Sequence, residues 1–175
     1  IHEGYLNKIE KIISIGTVSA YPAKATLPFS ENDMWNGYPE EANAPYGIAK
    51  KGVMVMLDGY YRQYGLKSAT LVPTNLYGPN DNFHPTNSHV IPALMRRFHE
   101  AVITKKEKVI IWGSGKPMRE FLHVEDMASA CIYLMNLNEE KLHRLIPDQM
   151  CSHINIGTGM DITIHDLALL MAETV

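Results

Sequence analysis

Tyr46 and Lys50 stand four residues apart in the segment Pro45-Tyr46-Gly47-Ile48-Ala49-Lys50. On a helix that spacing puts a phenol and an ammonium on one face, about one turn apart. A phenol ordinarily titrates near 10, and a neighbouring cation favours its anion. Such a pair can donate a proton to a ketone oxygen or take one from a hydroxyl. The spacing alone is a weak signal. With nine tyrosines in 175 residues, chance supplies about 0.5 such pairs, and a half-buried tyrosine beside a solvated lysine is the bland alternative.

Other residue types carry chemistry of their own. His89, in Asn87-Ser88-His89-Val90-Ile91-Pro92, offers an imidazole suited to proton delivery near neutral pH. Arg97, beside Arg96, reads on its own as an ordinary solvated helix face, although an arginine's planar fork can make paired bonds to an anion. Trp112 presents a flat apolar surface, or else a core residue at a strand end. Ser19 is a weak nucleophile and weaker base, since its alkoxide is scarcely available without a neighbouring base.

The elements that must position these groups alternate. Lys11–Ile15, closed by Gly16, reads as a buried strand. Tyr21 to Ala44 lacks any sustained period and reads as a long loop. A helix is expected from Pro45 to about Tyr64, with Pro45 at its start and Gly65 at its stop. Met54, Val55, Leu57 and Tyr61 give this helix apolar area beyond one stripe, as contact with both a sheet and a neighbour would require. Lys67–Val72 reads as the next strand, running into an irregular turn at Pro73-Thr74-Asn75-Leu76-Tyr77-Gly78-Pro79. A helix follows from His89 to about Val102, with Ile91, Leu94, Met95 and Phe98 on one face. Val109–Trp112 reads as a strand, Val124 to about Leu137 as a helix, and His153–Gly157 as a last short strand. Thr163 is expected to cap a helix beginning at Ile164. This alternation predicts an α/β fold with a parallel sheet.

Composition narrows the classes. Apolar residues make up 46% and charged residues 20%, with a net charge of −3, which is ordinary globular make-up. It offers no general pull toward nucleic acid or an anionic membrane. No apolar run reaches the roughly 18 residues of a membrane span, and no signal peptide opens the sequence. The two cysteines, Cys131 and Cys151, form no disulfide framework and have no metal-ligand spacing, so a reducing, cytoplasmic setting is expected and no metal. The start at Ile1 and the stop at Val175 read as cuts through a longer protein.

Four segments together carry a resemblance: Pro45-Tyr46-Gly47-Ile48-Ala49-Lys50, Pro73 to Phe83, Asn87 to Leu94, and Trp112-Gly113-Ser114-Gly115-Lys116-Pro117-Met118-Arg119-Glu120-Phe121. With Gly16-Thr17-Val18-Ser19-Ala20-Tyr21-Pro22 ahead of them, the chain resembles the extended short-chain dehydrogenase/reductase superfamily and, within it, the GDP-L-fucose synthases. The resemblance implies a partial Rossmann-like, doubly wound parallel sheet in residues 1–80, carrying the catalytic helix. Residues 81–175 would hold mainly a GDP-sugar lobe, with some helix packing back on the Rossmann core. It implies NADP(H) as cofactor, a GDP-4-keto-6-deoxysugar as substrate and a homodimer.

The resemblance also implies roles. Thr17 would hydrogen-bond the substrate ketone and Tyr46 would protonate it as hydride reaches C4. Lys50 would lower the Tyr46 pKa and hold the nicotinamide ribose. Ile15, Gly16, Thr17, Val18, Tyr46, Lys50, Pro73, Thr74, Asn75, Leu76 and His89 would line the cofactor. Arg97, Trp112 and Arg119 would contact the GDP-sugar, and His89 would be the acid of epimerisation. The sequence departs from the family at Ser19, where the family has a cysteine that removes the protons at C3 and C5. Two outcomes follow: His89 or another group takes over as base, or the protein reduces at C4 without epimerising. A non-catalytic sugar-nucleotide-binding relative is the third reading, because no glycine-rich cofactor loop stands in these residues.

Overall fold

The computed structural model describes residues 1–146 and 153–175, so Cys151 lies outside the described residues. In chain order the elements are α1 (His2–Leu6), β1 (Lys11–Ile15), α2 (Ala44–Tyr64), β2 (Lys67–Pro73), β3 (Asn75–Tyr77), α3 (Val90–Ile103), β4 (Met118–His123), α4 (Val124–Asn136), α5 (Glu139–Leu145), β5 (Ile154–Ile156), β6 (Asp161–Thr163) and α6 (Ile164–Thr174). They fall into two compact units. Residues 1–74 and 126–156 form one, and residues 75–125 and 157–175 form the other.

The first unit is built on a parallel sheet in the order β1-β2-β5. Its middle strand is buried from Ala69 to Pro73, as a strand covered on both faces must be. α2 is the long crossover between β1 and β2. Pro45 sits in its first turn, and Gly65 ends it in the left-handed region at φ 70°, with its amide donating to the Tyr61 carbonyl at 2.8 Å. Gly47, Lys51, Met54 and Leu57 form its buried stripe, spaced three and four apart as one helix face requires. Met54 joins Ala20, Tyr21, Met34 and Val72 in the core.

That packing divides the four α2 residues that suggested contact with a neighbour. Met54 and Leu57 are spent on the core, at 1% and 3% exposure, whereas Val55 is half exposed. Ile48 and Met56 are exposed as well. At the other end of the unit, the Lys11 ammonium donates to the carbonyls of Leu134, Met135 and Leu137 at 3.1, 2.9 and 2.7 Å. One cation thereby satisfies three carbonyls at and just past the end of α4.

The second unit has its own three-stranded sheet, β3-β4-β6. β3 runs parallel to β4, and β6 runs antiparallel to it with Met118 opposite Thr163. α3 and α6 pack through Ile91, Leu94, Leu167 and Ala168, flanked by Tyr77, Phe98, Phe121 and Ile162. Each of the buried Ile and Leu side chains contributes roughly 1.5–3 kcal/mol. Thr163 caps α6, its hydroxyl oxygen accepting from the Asp166 amide at 3.0 Å. The carboxyl of Asp166 is held below the usual carboxylate range, first by its hydrogen bond from the Thr163 hydroxyl.

One expected strand is absent. Val109–Trp112 takes no strand pairing among the described residues, with Ile110 and Trp112 exposed at 78% and 68%. Val109, Ile110 and Trp112 instead line a cavity with α3, while Ile111 packs on the α3–α6 core. An apolar run of four residues says only that something covers part of it. Here side chains, not a ladder, are the cover.

Candidate active site

β1 ends at Ile15, and Gly16 continues its pairing, donating to the Leu71 carbonyl at 2.7 Å. The chain then turns sharply. Thr17, buried and extended, caps a 3₁₀ turn over Val18–Ala20, its Oγ1 accepting from the Ser19 amide at 3.2 Å. Thr17 and Ser19 are thus presented just beyond the carboxyl end of a parallel strand, where open α/β sheets bind their ligands.

α2 reaches this turn through a glycine. A Cβ on Gly47 would stand 2.5 Å from the Ser19 carbonyl oxygen and 3.2 Å from the Ala20 Cα. Only a residue without a side chain lets the helix come this close. Gly47 is a site-shaping position that the sequence reading missed, because glycine within a helical pattern signals only a cost.

Tyr46, at 53% exposure, and Lys50 flank that glycine. The Lys50 ammonium donates to the Ile15 carbonyl at 2.9 Å and lies 5.7 Å from the Tyr46 ring centroid. One carbonyl takes one of its three protons, which leaves donors for the hydroxyls of a bound ribose. Thr17, Ser19, Tyr46 and Lys50 are therefore assembled on one turn and one helix of the first unit.

The next residue, Lys51, faces the other way. It is 5% exposed, donates to the Gly37 carbonyl at 3.4 Å, and lies 5.1 Å from the Trp35 ring centroid. Burial pushes its ammonium below the usual lysine value. It ties the loop of residues 21–44 to the helix that carries Tyr46 and Lys50.

At the carboxyl end of β2, Pro73 is buried and the Thr74 amide donates to the Ile156 carbonyl at 3.0 Å. Thr74 Oγ1 is buried with no hydrogen-bond partner among the described residues. A buried hydroxyl without a partner costs stability, and one at the ligand-binding edge of a sheet fits a site that receives a polar group. The Thr74 hydroxyl and the remaining donors of Lys50 fit a polar ligand at this edge. Asn75 and Leu76 begin the second unit in β3, where the Asn75 amide donates to the Glu120 carbonyl at 2.8 Å.

In the second unit, His89 is exposed and precedes α3, its carbonyl accepting from the Ala93 amide at 2.9 Å. The two adjacent arginines of α3 part company. Arg96 is held by Glu100 at 2.6 Å and by the Phe83 carbonyl at 2.8 Å. The guanidinium carbon of Arg97 stands 4.0 Å from the Trp112 ring centroid. The two line a cavity of roughly 470 Å³ with Lys106, Lys108 and His84, a basic recess with an aromatic wall. Arg119 does not line it, and its guanidinium donates to the Met118 carbonyl at 2.7 Å.

The chain is 49% identical to GDP-L-fucose synthase of Escherichia coli (strain K12) over its whole length, which covers 54% of that relative. It superposes on a GDP-D-glycero-L-gluco-heptose synthase of Campylobacter jejuni with a TM-score of 0.86 at 35% identity, covering 98% of this chain and 59% of that one. A GDP-mannoheptose C4 reductase of the same organism, solved with NADP bound, gives 0.84 at 34%, with 98% and 59% covered. The chain thus spans little more than half the length of these relatives. The profile of the NAD dependent epimerase/dehydratase family matches residues 2–157, and the chain belongs to that family.

Proposed function

We propose that this chain is the catalytic-helix portion of an NADPH-dependent enzyme that converts GDP-4-keto-6-deoxy-D-mannose to GDP-L-fucose, by 3,5-epimerisation and 4-keto reduction. The observation that carries the reading is the junction of the Thr17–Ser19 turn with α2 across Gly47, which groups a buried hydroxyl, a phenol and an ammonium held by the Ile15 carbonyl. The likeness to GDP-L-fucose synthase over the whole chain supports the substrate class.

Bound NADPH supplies the hydride that reduces C4. Thr17 orients the ketone oxygen, and Tyr46 gives that oxygen its proton, so the carbonyl becomes a hydroxyl. Lys50 holds the ribose and keeps a positive charge beside the phenol as it becomes phenolate. Arg97 and Trp112 hold the diphosphate and nucleoside end of the substrate, with Arg119 as a further contact. A base other than the Ser19 hydroxyl takes the C3 and C5 protons, and His89 gives a proton back to each enolate.

Ser19 favours a second reading, reduction at C4 alone. A thiol titrates within reach of neutral pH and a serine hydroxyl does not. The C4 reductase among the structural relatives agrees with it. Incubating the full-length protein with GDP-4-keto-6-deoxy-D-mannose and NADPH separates the readings. NADPH consumption with GDP-L-fucose as product supports the first, the unepimerised 4-hydroxy product supports the second, and no consumption defeats both.

The protein would act as a homodimer, with Ile48, Val55 and Met56 of α2 as exposed apolar area, and sedimentation of the intact protein as a monomer at micromolar concentration would refute this. No helix among the described residues is long and apolar enough to cross a membrane, and a cytoplasmic setting is the companion proposal.

A further inference from the structure

Asn155, on β5, directs three of its polar groups at one stretch of chain. Its side-chain amide nitrogen donates to the Phe29 carbonyl at 3.2 Å, its backbone amide donates to Glu31 Oε1 at 3.0 Å, and its Oδ1 accepts from the Tyr21 hydroxyl at 2.7 Å. Because the Phe29 carbonyl can only accept, the amide orientation is fixed and Oδ1 must face Tyr21. Tyr21 has one proton and spends it there. The second contact of its oxygen, 2.9 Å from His153 Nε2, therefore requires that nitrogen to be the donor.

Tyr21 is itself the far end of the turn that carries Thr17 and Ser19. Its amide donates to the Val18 carbonyl at 3.1 Å, and the Ala20 amide donates to the Thr17 carbonyl at 3.1 Å. Its ring is 3% exposed and stacks on Phe29 with centroids 4.5 Å apart. Burial pushes the phenol up to about 12, so it is a donor at neutral pH.

We propose that Asn155 is a positioning residue of the reaction: it fixes the Thr17–Ser19 turn through Tyr21 and holds the loop that follows through Phe29 and Glu31. This rests on the functional reading above only for its kinetic readout. Asn155→Asp is the sharp probe. Its carboxylate can still accept from Tyr21 but points an acceptor at the Phe29 carbonyl, whereas its protonated form restores the missing donor. The titratable groups facing the position are Tyr21, His153 and Glu31, with Asp33 farther along the loop. Reading the variant-to-wild-type ratio removes titrations common to both.

The experiment uses the full-length protein in two arms. In hydrogen exchange followed by mass spectrometry, Asn155→Asp at neutral pH should speed exchange in peptides covering residues 17–21 at least tenfold and leave α2 unchanged. In steady-state NADPH oxidation, its kcat should fall about tenfold or more with KM for NADPH within about twofold, and the deficit should shrink as pH falls toward 5. If Asn155→Asp does not fold, Tyr21→Phe, which removes only the shared hydroxyl, should show the same exchange and the same kcat loss. Unchanged exchange at residues 17–21, or kcat and KM values matching the unmodified protein, would overturn the proposal. An unmodified protein that oxidises no NADPH would instead defeat the functional reading, with the exchange arm still decisive.

Discussion

The two units hold their functional groups in opposite ways. In the first, the Thr17–Ser19 turn and α2 are locked by backbone contacts, a glycine that admits no side chain, and a lysine pinned to a strand carbonyl. In the second, Arg97 and Trp112 stack on each other at the wall of an open recess, 4.0 Å from guanidinium carbon to ring centroid, with Trp112 68% exposed. Proton transfer needs groups fixed to within a fraction of an ångström. Recognition of a diphosphate tolerates side chains that move, because charge acts over longer distances than a proton jump. The rigid unit should govern turnover, and the open one should govern affinity.

The largest effect expected is on the rigid side. Tyr46→Phe removes the proton donor and keeps the ring, so turnover should fall by about 10²–10⁴, with little change in GDP-sugar binding by calorimetry. Near-normal turnover would end the assignment of Tyr46. On the open side the split should reverse. Trp112→Ala removes the aromatic wall and should raise KM for the GDP-sugar by about tenfold, equivalent to about 1.4 kcal/mol, with kcat within about twofold. A kcat loss at unchanged KM would erase the contrast between the units.

The smallest effect concerns Lys51. Its pKa is lower folded than unfolded because burial disfavours the charge. Between the two values the unfolded chain binds more protons, so stability rises with pH as the folded group loses its proton. The gain is complete at the ordinary lysine value of 10.5. Lys51→Met should flatten this alkaline rise relative to the unmodified protein in pH-dependent denaturant melts. Parallel curves for the two proteins would contradict the burial argument.

Much of the rigid unit was legible because its signals are local. Pro45 and Gly65 mark the ends of α2, and an unbroken apolar run marks β2. The capping hydroxyl of Thr163 was readable for the same reason. β4 and β6 were not, since they exist through the pairing of Met118 with Thr163, 45 positions away, and no local pattern states a partner. Lys51 escaped notice because lysine is almost never buried, though it falls in register with Gly47 and Met54. The candidate site divided likewise. Tyr46 and Lys50 were visible by spacing, whereas Asn155 is significant only through three contacts made more than a hundred residues upstream.

The proposed enzyme would both epimerise and reduce despite Ser19, and isotope exchange isolates the first step from the second. The full-length protein is incubated in D₂O with GDP-4-keto-6-deoxy-D-mannose and no NADPH, and C3 and C5 are followed by NMR. Deuterium should enter both carbons, with a base other than Ser19 removing the protons, and Ser19→Cys should speed the entry. Undeuterated C3 and C5 in a protein that still reduces C4 when NADPH is added would contradict it and leave a C4 reductase.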